Sequence, residues 1–427
     1  MAEQAVNSSS LRRFGAGRIF TWLLGLVCFG ILLYFVVQIM IQFVTPSSIH
    51  RLQLVTDIPL PSVEVPAKGQ SPIQAIRSDH FDFQALDPQN GLLFIAHPGP
   101  SDVKLDLLLK TNQLPAGATL KGNIAVVDTR QNKFITSIDL PNIHGLVVDQ
   151  EDHRVYAAGS IGDVVYSIDE QTFKPTPINV APNCKPANAP CENPDSLTYD
   201  PVDHKIFVSS PAGQNQVVID TQTNTLLPKP IDLSGDKTGD DIGHTRYDRV
   251  SQRVFVVVQP FQPNPQDPNS PWPAAKLVAI NPVTDSIITS VTLPGECRSA
   301  HGLGIDSPQQ IAFVACIDSQ KLVMVNIQSN KVIEGIQTVG FKPDIITLDT
   351  NLHVLFVGCA SGVSIFDESG ASRGALKRLG NRDYTISSSS AHSLAVDENT
   401  HTIYIPLTDV GGRPVLRIEQ YNPNGNV

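Results

Sequence analysis

The chain has 427 residues, with 41 acidic against 31 basic side chains and a formal net charge of −10. Charged residues make up 17% and hydrophobic ones 41%. That is less charge than the ~25% of an average globular chain, which excludes a disordered polyelectrolyte. The acidic balance, with no basic block to neutralise phosphates, argues against nucleic acid as a partner.

The first element in chain order is apolar. Ile19 to Val44 carries no charged side chain, and Arg12, Arg13 and Arg18 lie just before it. At ~1.5 Å rise per residue this run spans roughly 39 Å, enough to cross a ~30 Å hydrocarbon core with some tilt. The basic flank predicts an N-terminus in the cytoplasm and the rest of the chain outside the cytoplasmic membrane, periplasmic or extracellular. A cleaved signal peptide fits less well, because the run is long and no A-x-A site follows it. The expected organisation is a cytoplasmic tail over 1–18, a transmembrane helix over 19–44, a linker over 45–79 and one domain over 80–427.

Beyond residue 75 a unit repeats. A short apolar run ends in Asp, a polar turn follows, and a second apolar run comes next. The first runs end at Asp87, Asp149, Asp200, Asp248, Asp306, Asp349 and Asp397; the second runs include LLFIAH, RVYAAG, KIFVSS, RVFVVV and IAFVAC. Third and fourth runs of the same kind follow in most units, the fourth weak in unit six around GALKRLG. Short β-branched runs between turn residues read as strands. Four strands per repeat predict an all-β fold, a seven-bladed β-propeller. The seventh unit has only three strands, ending at VLRIEQY, whereas 51–61, RLQLVTDIPLP, resembles the fourth strands FITSIDLP and IITSVTLP. The segment just after the apolar run is therefore expected to complete the last blade and remove its open edge.

Blades such as HGLVVDQEDHRVYAAG and DSLTYDPVDHKIFVSS resemble the YVTN-type β-propeller repeat over roughly 80–427. The resemblance implies a fold shared with seven-bladed lactonases and quinoprotein amine dehydrogenase-like subunits, whose functions differ. No C-x-x-C-H haem motif stands in the chain.

Strand alternation sorts the connections by face. The turns after the seven Asp residues are short, and each Asp suits an Asx-turn, so these seven read as structural. The long connections, 98–122, 182–194, 234–243, 259–276 and 380–390, all fall at the other end, where binding usually resides. The same end carries a ring of residues five places before each motif Asp: Asp82, His144, Asp195, Gly243 with His244 behind it, His301, Asp344 and His392. Imidazole and carboxylate suit acid–base work or a divalent metal. The His-Gly openings suit a structural part better, bonding a neighbouring blade. Phe261 and Trp272 bracket a Pro-rich stretch that fits a partner-binding arm. The stretch SGDKTGDDIG lacks the spacing of a Ca²⁺ loop and reads as solvated.

Cys184 and Cys191 are expected to pair within one loop, and Cys297 with Cys316, leaving Cys359 free. The expected function is non-catalytic binding of a protein, glycan or small ligand on the loop-rich face, with no catalytic residue and no cofactor assigned. The alternative is a lactonase-like or metal-dependent hydrolase working through the Asp/His ring.

Overall fold

A computed structural model describes residues 51–61, 64–66, 75–77, 80–99, 122–160, 162–184, 191–234, 240–261, 271–360, 362–384 and 391–423. The apolar run 19–44 and the centres of most long connections lie outside these residues. No helix among the described residues is long and apolar enough to cross a membrane.

Seven antiparallel sheets succeed one another along the described chain. Blade one uses Gln84–Asp87, Leu92–His97, Gly122–Asp128 and Lys133–Leu140; blade two uses Ile143–Asp149, Arg154–Gly159, Val164–Asp169 and Pro175–Asn179. The innermost strand of each blade packs on that of the next, and that of blade seven packs on blade one, so the ring is closed. The core lies between blades. Tyr156, Val165, Ile206 and Val208 fill the seam of blades two and three, and Phe313, Leu322, Leu355 and Val357 that of blades five and six. Both faces of each sheet are covered, which is why the second strands read as unbroken apolar runs rather than as alternating ones.

The closing strand forms where the unpaired repeat requires it. Leu52–Pro59 pairs antiparallel with Arg413–Tyr421, from Leu52 opposite Tyr421 to Pro59 opposite Val415, as the outermost strand of blade seven. Arg417 grips Asp57 through two hydrogen bonds of 2.9 and 2.8 Å. Leu52, Ile58 and Leu60 are buried beneath it.

All seven motif aspartates serve their turns. Asp87 Oδ1 accepts the Gln89 amide at 2.9 Å, Asp149 that of Glu151 at 3.1 Å and Asp306 that of Gln309 at 2.9 Å. Asp200, Asp248, Asp349 and Asp397 do the same. Each turn closes on a residue with positive φ: Gly91, His153, His204, Gln252, Gln310, His353 or His401. Four of these are histidines, held in a conformation that L residues adopt at some cost, which the carboxylate-anchored turn offsets.

Several boundaries differ from the sequence reading. The linker over 45–79 contains a small two-stranded sheet, Glu64–Pro66 with Ala75–Arg77. The fourth strand of blade three is split into Thr225–Leu226 and Ile231–Asp232, because Pro228 and Pro230 cannot donate to a ladder. The weak fourth strand of blade six is nine residues long, Ala375–Asp383, so it takes the start of the connection placed at 380–390. Lys377 and Arg378 are exposed, which masks an apolar signal but protects a sheet edge, while Arg382 pairs with the buried Glu419 of blade seven.

Both expected disulfides are present, Cys184–Cys191 and Cys297–Cys316. The second ties the segment before His301 to the end of the neighbouring strand, where Cys316 pairs with Ala300. A closed loop of this length contributes about 3 kcal/mol. Replacing Cys297 and Cys316 together by Ser is expected to lower stability by that order, measured by urea unfolding.

Candidate functional site

The ring residues leave their ladders at a shared irregularity. Blades two, four, five and six each show a register shift, between Ile143 and Leu146, Ile242 and Thr245, Ala300 and Leu303, and Pro343 and Ile346. The two residues skipped in each case are His144-Gly145, Gly243-His244, His301-Gly302 and Asp344-Ile345. A bulge re-aims side chains out of the pleat, here into the channel. In blades one, three and seven the inner strand begins later, at Gln84, Leu197 and Ala395, so Asp82, Asp195 and His392 sit just ahead of it.

The glycine after His144 and His301 has a steric cause. A Cβ at Gly302 would fall inside contact distance of the Asp344 carbonyl, and one at Gly145 would collide with that of Asp195. The His-Gly pair thus lets the next blade's backbone close on the ring. Gly302→Ala is expected to cost at least ~2 kcal/mol, as overpacking against backbone does, seen as a lowered thermal midpoint.

The sequence-predicted residues converge. His144 Nδ1 lies 2.7 Å from Asp82 Oδ2 and 4.0 Å from Asp195 Oδ1. Asp195 Oδ2 lies 3.9 Å from His301 Nε2. Asp344 is the hub of the other arc, with His244 Nε2 3.2 Å from one oxygen and His392 Nε2 2.9 Å from the other. His144, His301 and His392 keep 25, 21 and 22% of their side-chain surface open, whereas His244 keeps 1%. His244 is therefore the floor. It meets Phe83 from blade one at 4.6 Å between ring centroids, and the Arg246 guanidinium lies 5.3 Å from the same Phe83 ring. Large residues at matching positions of blades one and four thus plug the channel, while blades two and five have glycine there.

Sequence reasoning missed four neighbours. His80 stacks on His392 with centroids 5.2 Å apart. Asp241, assigned to solvent with its Asp-rich stretch, instead places Oδ2 3.7 Å from His301 Nδ1. Phe83 and Arg246 form the plug. Asp241 stands two residues before Gly243 and His80 two before Asp82; this two-residue period was the available signal.

The charges are mutually adjusted. Burial works against charge on His301, but Asp241, Asp344 and Asp195 outweigh it and hold its pKa up at about 10. Burial opposes His392 in the same way, and Asp344 raises it. Asp344 is buried yet held well below the carboxylate range by His392, His244 and His301. Asp82 is pulled to about 2, against burial, by its hydrogen bond from His144. Asp195 goes the other way, up to about 6, through burial and the nearby Asp82. Burial keeps His244 and His80 neutral, at about 3 and about 4.

Phe261 is exposed and Trp272 half-buried, and residues 262–270 between them lie outside the described ones. Cys359 is fully buried, its thiol pushed up to about 11 by that burial, so it is not a reactive thiolate. The structure also shows what sequence did not suggest, a cavity of about 790 Å³ at the opposite, short-turn end, lined in part by Gln84, Leu146, Thr198, Tyr199 and Tyr247.

No protein-family model and no curated protein matches the chain. Among solved structures it is similar to the hydrazine synthase of Kuenenia stuttgartiensis, at 12% identity and a TM-score of 0.55, over 78% of this chain and 94% of that one. At that identity the likeness concerns the fold alone: a seven-bladed β-propeller.

Proposed function

We propose that this chain is a membrane-anchored β-propeller, exposed outside the cytoplasmic membrane, that binds a protein, glycan or small ligand at its loop-rich channel mouth. The observation that supports it is the convergence of Asp82, His144, Asp195, His301, Asp344 and His392, from six blades, on one partly open mouth with a closed floor. The long connections begin and end at that same rim. The apolar run 19–44 and the two disulfides support the anchored, oxidising location.

The test is a thermal-shift screen of the full-length protein in detergent micelles against glycans, organic acids and lactones. A ligand of this mouth raises the midpoint of the wild type but not of the His301→Ala/His392→Ala variant. Shifts that persist in that variant overturn the reading. A second reading, hydrolysis, is favoured by one feature, the Asp195 carboxyl raised to about 6 beside two imidazoles, which suits acid–base exchange near neutrality. Turnover of a lactone in the same screen, lost on Asp195→Asn, separates it from binding alone.

A further inference from the structure

The innermost residues of blades four, five and six bring His244, His301 and Asp344 together so that one donor atom from each lies within 4.8 Å of the others. From this juxtaposition we infer a binding site for one divalent first-row transition metal at the channel floor, held by His244 Nε2, His301 and an Asp344 oxygen. The inference rests on reading this mouth as a binding site and names the ligand class it takes.

Three observations carry it. The first is the donor set. Two imidazoles and one carboxylate, with positions left open toward the mouth, suit Zn, Co, Ni, Mn or Fe(II), while Ca and Mg prefer all-oxygen surroundings.

The second is an unexplained atom. Asp344 Oδ1 is buried, and no donor is aligned on it among the described residues, although His244 Nε2 stands only 3.2 Å away. A buried carboxylate oxygen without a donor is costly and calls for a water or an ion. Metal–ligand bonds of about 2.0–2.1 Å in a tetrahedral site put neighbouring ligand atoms about 3.3 Å apart, close to this spacing.

The third is the supporting shell. His392 Nε2, 2.9 Å from the other oxygen of Asp344, fixes the carboxylate. Asp195 Oδ2, 3.9 Å from His301 Nε2, provides a further acceptor beside the open positions. Phe83 and the buried strands close the floor and hold His244 in place. Two things must yield: His301, protonated in the free protein, must release one ring proton to solvent, and the Leu303 amide faces His244 Nδ1 at 3.4 Å. A metal on Nε2 moves the ring proton to Nδ1, so this long hydrogen bond is lost; at the outer limit of hydrogen-bond length it opposes binding only weakly.

The experiment uses the full-length protein without a histidine tag, stripped with chelator in detergent and titrated with Co²⁺. The wild type is expected to take up one equivalent with visible d–d absorption, displaced by Zn²⁺. His301→Ala should weaken uptake at least tenfold with the far-ultraviolet circular dichroism unchanged. His353→Ala, in the separate cluster with Asp306 and Glu368, should leave uptake unaltered. A folded wild type that retains no Co²⁺ overturns the inference and leaves Asp344 Oδ1 to a water. Loss of the signal in His353→Ala, or its persistence in His301→Ala, overturns it as well. Because uptake is measured without any organic ligand, its failure is distinct from failure of the mouth to bind a glycan, acid or lactone.

Discussion

Replacing Leu52, Ile58 and Leu60 together by aspartate is expected to abolish the folded ring. Each of the three is at most 7% exposed, and burying one such side chain stabilises by ~1.5–3 kcal/mol. Three together approach the ~5–15 kcal/mol by which a whole domain is stable. The loss exceeds that of apolar area, because each aspartate brings a charge to a position without a partner. The exposed edge Arg413–Tyr421 would then be open to pair with other chains. The variant should elute as aggregate and be cleaved rapidly by protease. Leu54→Asp on the same strand, where the side chain is 54% exposed, should behave as wild type. A triple variant with a wild-type unfolding midpoint would show that closure does not hold the ring.

Asp344→Ala is expected to cost ~3–5 kcal/mol, the usual loss when one partner of a buried ionic network is removed. The side chain is 10% exposed and faces three imidazoles. The variant should also change the pH profile, and the signs are definite. His301 and His392 have raised pKa values in the folded protein, so the stability they contribute is complete below about 6.5 and is lost as pH rises, for His301 through about 10. Asp195, raised to about 6, acts in the same direction, as does Glu368, which burial and the adjacent Asp306 raise to about 8. Asp82 and Asp344 are depressed, so their contribution is present above about 3.8 and is lost as pH falls, for Asp82 through about 2. His244 and His80, lowered by burial to about 3 and about 4, act the other way, so the stability tied to their neutral forms is present above about 6.5 and is lost as pH falls. The wild type should therefore be most stable at roughly pH 5–6, and its thermal midpoint should fall from there toward pH 10. In Asp344→Ala the histidines lose the carboxylate that raises them, and the part of that fall above pH 7 should flatten. An unchanged alkaline slope would mean that the ring does not set it.

The repeat was legible because strand period and turn chemistry are local. Seven aspartates in equivalent turns, and one blade short of a strand, defined the propeller and the partner of 51–61 from the order of residues alone. The ring was legible for the same reason, since equivalent positions in equivalent blades must face one channel. The fourth strand of blade six was legible only in part, around GALKRLG, because it carries Lys377, Arg378, Arg382 and Asp383, and a charged strand resembles a loop. His80 and Asp241 were missed because they precede the repeat's regular part.

Sequence by itself thus determined how many blades there are, how the ring closes, which cysteines pair and which residues surround the channel. Tertiary structure alone decided what those residues are to one another. Bulges of one extra residue, invisible to a period of two, turned His144, His301 and Asp344 into the channel. The meeting of Phe83 with His244 across the axis, and of Asp344 with three imidazoles, depends on side chains from blades 43 or more positions apart in the chain. Distances between such residues follow from how seven sheets pack, which no local pattern encodes.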